Sequence, residues 1–367
     1  IVRRKLIMVM AAAAVVMMAT AGQGSVIPTR PLPGGGELPM LYMGAGNFTQ
    51  WLLTPGVGRG GGVKTAWSYH NQPSILPAVA AAGLSREDVF LETMVPCGGI
   101  DGGVEPMNAS MASWYIENDL KLLGTDYIDL LLIHHRCGTP EETVAVWGAL
   151  EAAVASGKAR AIGVSNFVAD DLAALQPHVR VPIAVNEAHF AVGVMDYTTL
   201  AYCKAHGITP VSFSSLAAGV PMDNTMVAAI ASRHNVSAAA VMLKFVSVHN
   251  ISVLSSISTP EYTAEDIGIF DFELTAADMT ALAALQTENR TCADCFTHEC
   301  QACATALQEQ GCPVGQMPAW GRDNPHGAEC VACANAHAHT AAVAAACPSP
   351  EMLPKACGQA GGFPHAQ

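Results

Sequence analysis

Nine cysteines fall between residues 292 and 357, at Cys292, Cys295, Cys300, Cys303, Cys312, Cys330, Cys333, Cys347 and Cys357, out of twelve in the whole chain. A thiol can form a disulfide, ligate a soft metal or exchange redox equivalents, and the spacing bears on which. The pairs Cys292/Cys295 and Cys300/Cys303 lie too close together for the usual zinc spacing. Cys330 and Cys333, followed by His337 and His339, resemble a metal-ligand set more closely, and His298, His326 and His365 are interleaved with the rest. No thioredoxin-like pattern surrounds any of these pairs. A disulfide-stapled module is therefore the reading carried forward, with metal binding and redox activity as alternatives. An odd number of thiols leaves one to stay free, to reach the rest of the chain, or to form an intermolecular disulfide.

The other end of the chain bears on the same chemistry, because disulfides persist in oxidising compartments. Arg3, Arg4 and Lys5 precede an apolar run over 6–19, and Ala19-Thr20-Ala21 offers a small-residue cleavage site. That run is short of the roughly 20 residues a bilayer span needs. Residues 1–21 read as a signal peptide, with an uncleaved anchor as the alternative and a faint twin-arginine character in Arg3-Arg4. Five Asn-x-Ser/Thr triplets, at Asn47, Asn108, Asn235, Asn250 and Asn289, agree with a glycoprotein of the secretory pathway, an organelle lumen or the extracellular space. No membrane partner is expected once the leader is removed.

A net charge of −13, with no Lys/Arg cluster after the leader, excludes nucleic acid as the expected partner. Charged residues are 13% and aromatics 6%, so the core must rest on Ala, Val, Leu, Ile and Met. Residues 22–36 form a Pro/Gly-rich lead-in. Over 37–286 short apolar runs alternate with helical patterns. The clearest strands are 89–95, 127–134, 159–165, 183–186, 208–213 and 251–257, with weaker ones at 40–44 and 62–67. Helical patterns cover 109–123, 141–155, 170–175, 198–205, 226–234 and 237–248. Unbroken Leu/Ile/Val runs suit parallel strands covered on both faces, and eight of them fit a closed (β/α)8 TIM barrel, an α/β fold. The rival is an open doubly wound sheet, but no GxGxxG follows the first strand. Residues 287–367 form a small, loop-rich, cysteine-rich extension.

The residues that position a site in such a barrel also resemble a known family. The stretch 85–93, Ser-Arg-Glu-Asp-Val-Phe-Leu-Glu-Thr, is similar to the entry into the third strand of aldo-keto reductases. The stretch 126–134, ending Leu-Leu-Leu-Ile-His, is similar to their fourth strand. Trp147-Gly148-Ala149-Leu150-Glu151 and the run 157–167, ending Gly-Val-Ser-Asn-Phe, resemble the next helix and fifth strand. Val185-Asn186, Ala201-Tyr202-Cys203 and 269–274 continue the likeness in order. The resemblance implies reduction of a small-molecule carbonyl by a reduced nicotinamide cofactor, NADP or NAD. In the family a Tyr donates the proton, a Lys lowers its pKa, an Asp holds the Lys and a His orients the carbonyl.

Carried over residue by residue, the pattern is mixed. Tyr69 falls on the acid and His134 on the orienting histidine. The Asp slot holds Lys64 and the Lys slot holds Met94. In one reading Lys64 brings an ammonium to Tyr69 from the opposite position, although without a carboxylate it could swing into solvent. In the other, Lys64 and Met94 are relics, and Tyr69 and His134 merely pack. For the cofactor, Ser165 and Asn166 match the carboxamide-binding pair and Glu187 stands for a Gln. Phe213 stands for the Tyr that stacks on nicotinamide, while Ser214 and Leu216 match groups near the pyrophosphate. The Lys and Arg that clamp a 2′-phosphate are replaced by Ser256 and Tyr262, followed by Glu265 and Asp266. Without a bidentate phosphate partner, binding is expected to be weak and the preference for NADP over NAD lost. No metal site is expected in the barrel.

Pro55 and the glycines at 56–62 lie where a first crossover helix usually forms, so that helix is expected to be short or lost. Cys97 and Cys137 follow neighbouring strands, where they could pair on the rim, and Cys203 reads as a plain buried thiol. Two functions remain open: a secretory-pathway oxidoreductase, or a non-catalytic exported protein (a pseudoenzyme) using barrel and tail for binding or structure. The second draws support from the scarcity of reduced nicotinamide outside cells.

Overall fold

The computed structural model describes residues 26–97, 106–257 and 259–286. The leader over 1–21, the nine cysteines of the tail and Asn289 lie outside them.

Thr29–Pro31 (β1) and Glu37–Pro39 (β2) pair as an antiparallel hairpin. The barrel follows: Leu41–Gly46 (β3), Gly62–Lys64 (β4), Phe90–Val95 (β5), Ile128–Ile133 (β6), Ala159–Ser165 (β7) and Val185–Ala191 (β8). After the two-residue return strand Val194–Met195 (β9), which is antiparallel to β8, come Thr209–Phe213 (β10) and Ser252–Ile257 (β11). Each barrel strand pairs in parallel with the next. β8 passes over β9 to pair with β10, and β11 pairs with β3 to close the ring. The rival open sheet is thereby excluded.

The helices are Phe48–Leu53 (α1), Ile75–Ala81 (α2), Ala109–Leu123 (α3), Pro140–Ala155 (α4), Ala169–Leu175 (α5), Tyr197–His206 (α6), Thr225–His234 (α7), Ala238–Val248 (α8), Pro260–Ile267 (α9) and Ala276–Ala283 (α10). Their ends follow the local chemistry. The Asn108 side chain caps α3 by accepting from the Met111 N–H, and Gly124, at φ +72°, ends it. Thr139 caps α4, with Pro140 at its first turn and Glu141 and Glu142 near the positive end of the helix dipole. That cap is why the chain turns into helix so soon after His134.

Strand alternation splits the core in two. Phe90, Met94, Leu130, Leu132, Ala161, Val185 and Val211 fill the barrel interior. Leu91, Val95, Leu131, Ile133, Ile162 and Val164 face the helices. β5 and β6 are buried at every position, as parallel strands covered on both faces must be.

The lead-in at 22–36 needs correction. Gly34, Gly35 and Gly36 turn with φ of +93°, +116° and +91°, which folds β1 onto β2. Leu32 and Leu38 are thereby buried with the barrel-interior cluster, and Ile27 joins the outer core, so packing reaches back to residue 27. β8 also runs past the expected end at Asn186, because Glu187 and His189 belong to the strand. The first crossover helix, α1, is six residues long, as the glycine-rich segment implied.

Candidate active site

The C-terminal ends of the parallel barrel strands lie together at one end of the barrel, its mouth, where such barrels place their chemistry. Tyr69 arrives on a single 3-10 turn, Trp67–Tyr69, one turn beyond β4. Gln72 pins that turn by donating to the carbonyls of Ala66 (2.9 Å) and Trp67 (3.3 Å). His70, left-handed at φ +53°, ends it. His134 follows β6, anchored by its backbone N–H to the Val95 carbonyl at 2.9 Å. The Tyr69 and His134 rings stand edge to face, with centroids 5.7 Å apart. The two rings expected to act together do share one space.

His134 is buried, and its pKa is pushed well below the usual value by burial, then by His135 and Lys64. At neutral pH its imidazole is uncharged, which suits a hydrogen-bond donor to a carbonyl oxygen. His135 lies against it, ring centroids 4.5 Å apart.

Lys64 does not swing outward. It is only 4% exposed, and its ammonium is bound to the Glu187 carboxylate. The same ammonium sits 5.8 Å from the Tyr69 ring centroid and 5.6 Å from that of Phe213. Burial alone would lower the Lys64 pKa, but Glu187, then Tyr69 and Glu92, outweigh it and raise the net value. The carboxylate that the sequence seemed to lack is therefore present, on another strand. Glu187, the residue in place of the family's Gln, is fully buried and its Oε1 is bound to the Lys64 ammonium. Met94, in the slot of the family's lysine, packs among Phe90, Leu130 and Leu132.

Sequence reasoning missed two members of this cluster. Glu92 is fully buried on β5, and its Oε2 accepts from the Tyr42 hydroxyl at 2.6 Å. Burial, followed by the charge of Glu187, lifts its carboxyl well above the usual carboxylate range, which favours the protonated form. The available signal was a lone acid in a run otherwise buried and apolar on both faces, since such a group must find a partner. Tyr42 reaches it because Gly62 has no side chain: a Cβ there would lie 2.5 Å from the Tyr42 Cβ.

Beside the mouth, Asn166 adopts φ +63° and donates through Nδ2 to the His134 carbonyl and Ser165 Oγ, each at 3.0 Å. Its Oδ1 is buried and has no hydrogen-bond partner. Phe213, at the end of β10, presents a half-buried ring, 4.0 Å from that of His189 by centroids. Ser214, at φ +55°, turns the chain outward, its carbonyl accepting from the Ala217 and Ala218 N–H groups, and Leu216 packs on the outer core.

Ser256 is exposed at the end of β11. Glu265 lines a separate outer cavity with Ala231, Asn235, Val236, Ala240 and Gly268, and no Lys or Arg is among its lining residues. Asp266 is buried beneath, accepting from Ser255 Oγ.

On the rim, the Cα atoms of Cys97 and Cys137 are 4.7 Å apart, within disulfide range, and their sulfurs are bonded. Cys203 is a free, buried thiol. Among the described residues, no group of three or more His, Cys, Asp or Glu is placed to hold a metal ion.

Comparison with known proteins agrees with this geometry. The family model described as aldo/keto reductase matches residues 63–287. An aldo-keto reductase of Mycolicibacterium smegmatis is 31% identical over 280 residues, covering 75% of this chain and 96% of the relative. The glyoxal reductase of Bacillus subtilis is 32% identical over 228 residues, covering 62% and 79%. Among solved structures, an aldo/keto reductase from Brucella melitensis superposes with a TM-score of 0.64 at 25% identity, covering 71% of this chain and all of that one. A Bombyx mori aldo-keto reductase in complex with NADP shares the fold, with a TM-score of 0.63 at 22% identity over 72% of this chain and 94% of that one.

Proposed function

The chain belongs to the aldo/keto reductase family, and from that premise we propose that it reduces a small-molecule carbonyl, with Tyr69 as proton donor, His134 as neutral orienting group and Lys64 as the adjacent cation. The observation that carries this reading is the meeting of Tyr69, His134 and a buried, carboxylate-held ammonium at one mouth.

A reduced nicotinamide, NADH or NADPH, supplies the hydride when bound. The residues present fit its nicotinamide end. The unpartnered Asn166 Oδ1 is an acceptor suited to a carboxamide N–H, and the Phe213 ring offers a flat apolar face. They fit a 2′-phosphate poorly, because Ser256 and Glu265 provide no positive charge. Binding is correspondingly weak and tolerant of NADH.

Neutral His134 donates to the carbonyl oxygen and sets its direction toward Tyr69. As the carbonyl carbon is reduced, Tyr69 gives its proton to the oxygen, and the phenolate left behind is stabilised by the Lys64 ammonium. Solvent then restores the phenol. Because a relative reduces glyoxal, small dicarbonyls are the first substrates to try.

The test is consumption of NADH and NADPH by the purified full chain with glyoxal. Turnover is expected, and Tyr69→Phe should lower kcat by about 10²- to 10⁴-fold, the usual range for one acid–base group. Full activity in Tyr69→Phe contradicts the assignment.

We also propose that the chain passes through the secretory pathway, on the strength of the leader over 1–21 and the exposed Asn47, Asn108, Asn235 and Asn250. Deglycosylation of protein from the native cell should lower its mass; an unchanged mass counts against glycosylation.

A further inference from the structure

One polar layer crosses an otherwise apolar barrel. It consists of Tyr42 from β3, Lys64 from β4, Glu92 from β5 and Glu187 from β8. In the closed ring β4 and β8 lie opposite each other, so Lys64 and Glu187 meet across the barrel axis. Glu92 stands in register beside Lys64 and interacts electrostatically with Glu187. The groups facing the ammonium are thus Glu187, Glu92 and Tyr69, with His134 and the Phe213 ring completing its surroundings.

A single buried ammonium can balance only one of two buried carboxyls. The other must hold a proton, and a proton between two carboxyls is shared as a hydrogen bond. The contacts assign the parts: Glu187 takes the ammonium, and Glu92 is the acid that stays neutral.

We propose that Glu187 is a positioning residue, a strut from the far wall of the barrel that keeps the Lys64 ammonium beside Tyr69, with Glu92 completing its hydrogen bonds. This rests on the reading of Tyr69 as proton donor. It also departs from the pattern in the resembled family, because carboxylate and ammonium come from different strands than there. Without Glu187 the ammonium has only Glu92, on the adjoining strand, as a buried counter-ion, and nothing holds it from the far wall beside Tyr69, whose phenolate loses that stabilisation.

The experiment is a double-variant cycle on the full chain: wild type, Glu187→Gln, Lys64→Met and the combination. The Tyr69 phenol is titrated by NMR of labelled tyrosine with no cofactor added, and the pH profile of kcat is measured in parallel. Glu187→Gln should raise the Tyr69 pKa by about one unit and lower kcat about tenfold, one unit being a factor of ten in either quantity. With Lys64→Met already present, the same change should add nothing to either readout. Glu92→Gln, which keeps a neutral hydrogen-bonding group, should give the smaller shift.

If Glu187→Gln alone fails to fold, Glu187→Asp takes its place and should give an intermediate shift. The proposal is overturned if removing Glu187 leaves the phenol where it was, if the shift is as large without Lys64 as with it, or if Glu92→Gln has the larger effect. Full activity of Tyr69→Phe would remove the proton-donor reading instead, and leaves the phenol titration able to support the strut.

Discussion

The barrel mouth and the outer cavity have both lost charged groups that the resembled family carries, yet only the mouth has replaced them. At the mouth an ammonium on Lys64 and a carboxylate on Glu187 reappear on other strands, in contact. Away from the mouth, Ser256 and Glu265 stand where the phosphate clamp is expected, and no Lys or Arg lines the outer cavity that Glu265 borders. The difference is physical. A charge buried inside the barrel is tolerated only with its counter-ion, so the two change together or not at all. A clamp exposed to water has no such constraint, because its loss weakens a ligand and leaves the fold intact.

The contrast can be broken first at its strongest point. Lys64→Met leaves Glu187 and Glu92 buried without a cation and should destabilise the fold by about 3–5 kcal/mol in urea unfolding. Glu265→Gln in the outer cavity should stay within about 0.5 kcal/mol of wild type. Equal effects at the two places would dissolve the distinction.

A smaller effect tests the same rule where a buried acid has no ammonium. Burial lifts Asp119 to about 6, although hydrogen bonds from Thr93 and Gln72 pull the other way. Such a carboxyl binds its proton more tightly in the folded chain than in the unfolded one. It supports the fold fully below its ordinary value of 3.8 and loses that support as pH rises through about 6. Asp119→Asn should therefore flatten the stability profile between those limits and gain about 1–3 kcal/mol on wild type above pH 7, one pKa unit being worth about 1.4 kcal/mol. An unchanged profile would show that Asp119 is not the group responsible.

The smallest effect lies at the expected phosphate clamp. Ser256→Lys with Tyr262→Arg should favour NADPH over NADH by about tenfold, or ~1.4 kcal/mol, without changing kcat. No change in the ratio would place the phosphate elsewhere.

The same division explains what could be read beforehand. Largely apolar runs at 89–95 and 127–134 announce strands buried on both faces, so the barrel was legible. Tyr69 and His134 were legible because each lies in a short motif beside its strand. The Lys64–Glu187 pair was not, because its members are 123 residues apart in sequence and meet only when the barrel closes. Alignment alone therefore points Glu187 toward the cofactor and says nothing of Lys64. Glu92 carried a signal, an acid among Phe90, Leu91 and Met94, but nothing local named its partner. The hairpin at 29–39 was hidden by short strands and glycines, whose pairing depends on Leu32 and Leu38 finding the barrel floor.

The account depends most on the claim that the Lys64 ammonium assists proton donation by Tyr69. Steady-state glyoxal reduction by wild type and Lys64→Met, at saturating NADH and matched folded fraction, tests it directly. A kcat at least about tenfold lower in Lys64→Met, for an effect of one pKa unit or more on the phenol, is the result required. Equal kcat values would contradict it.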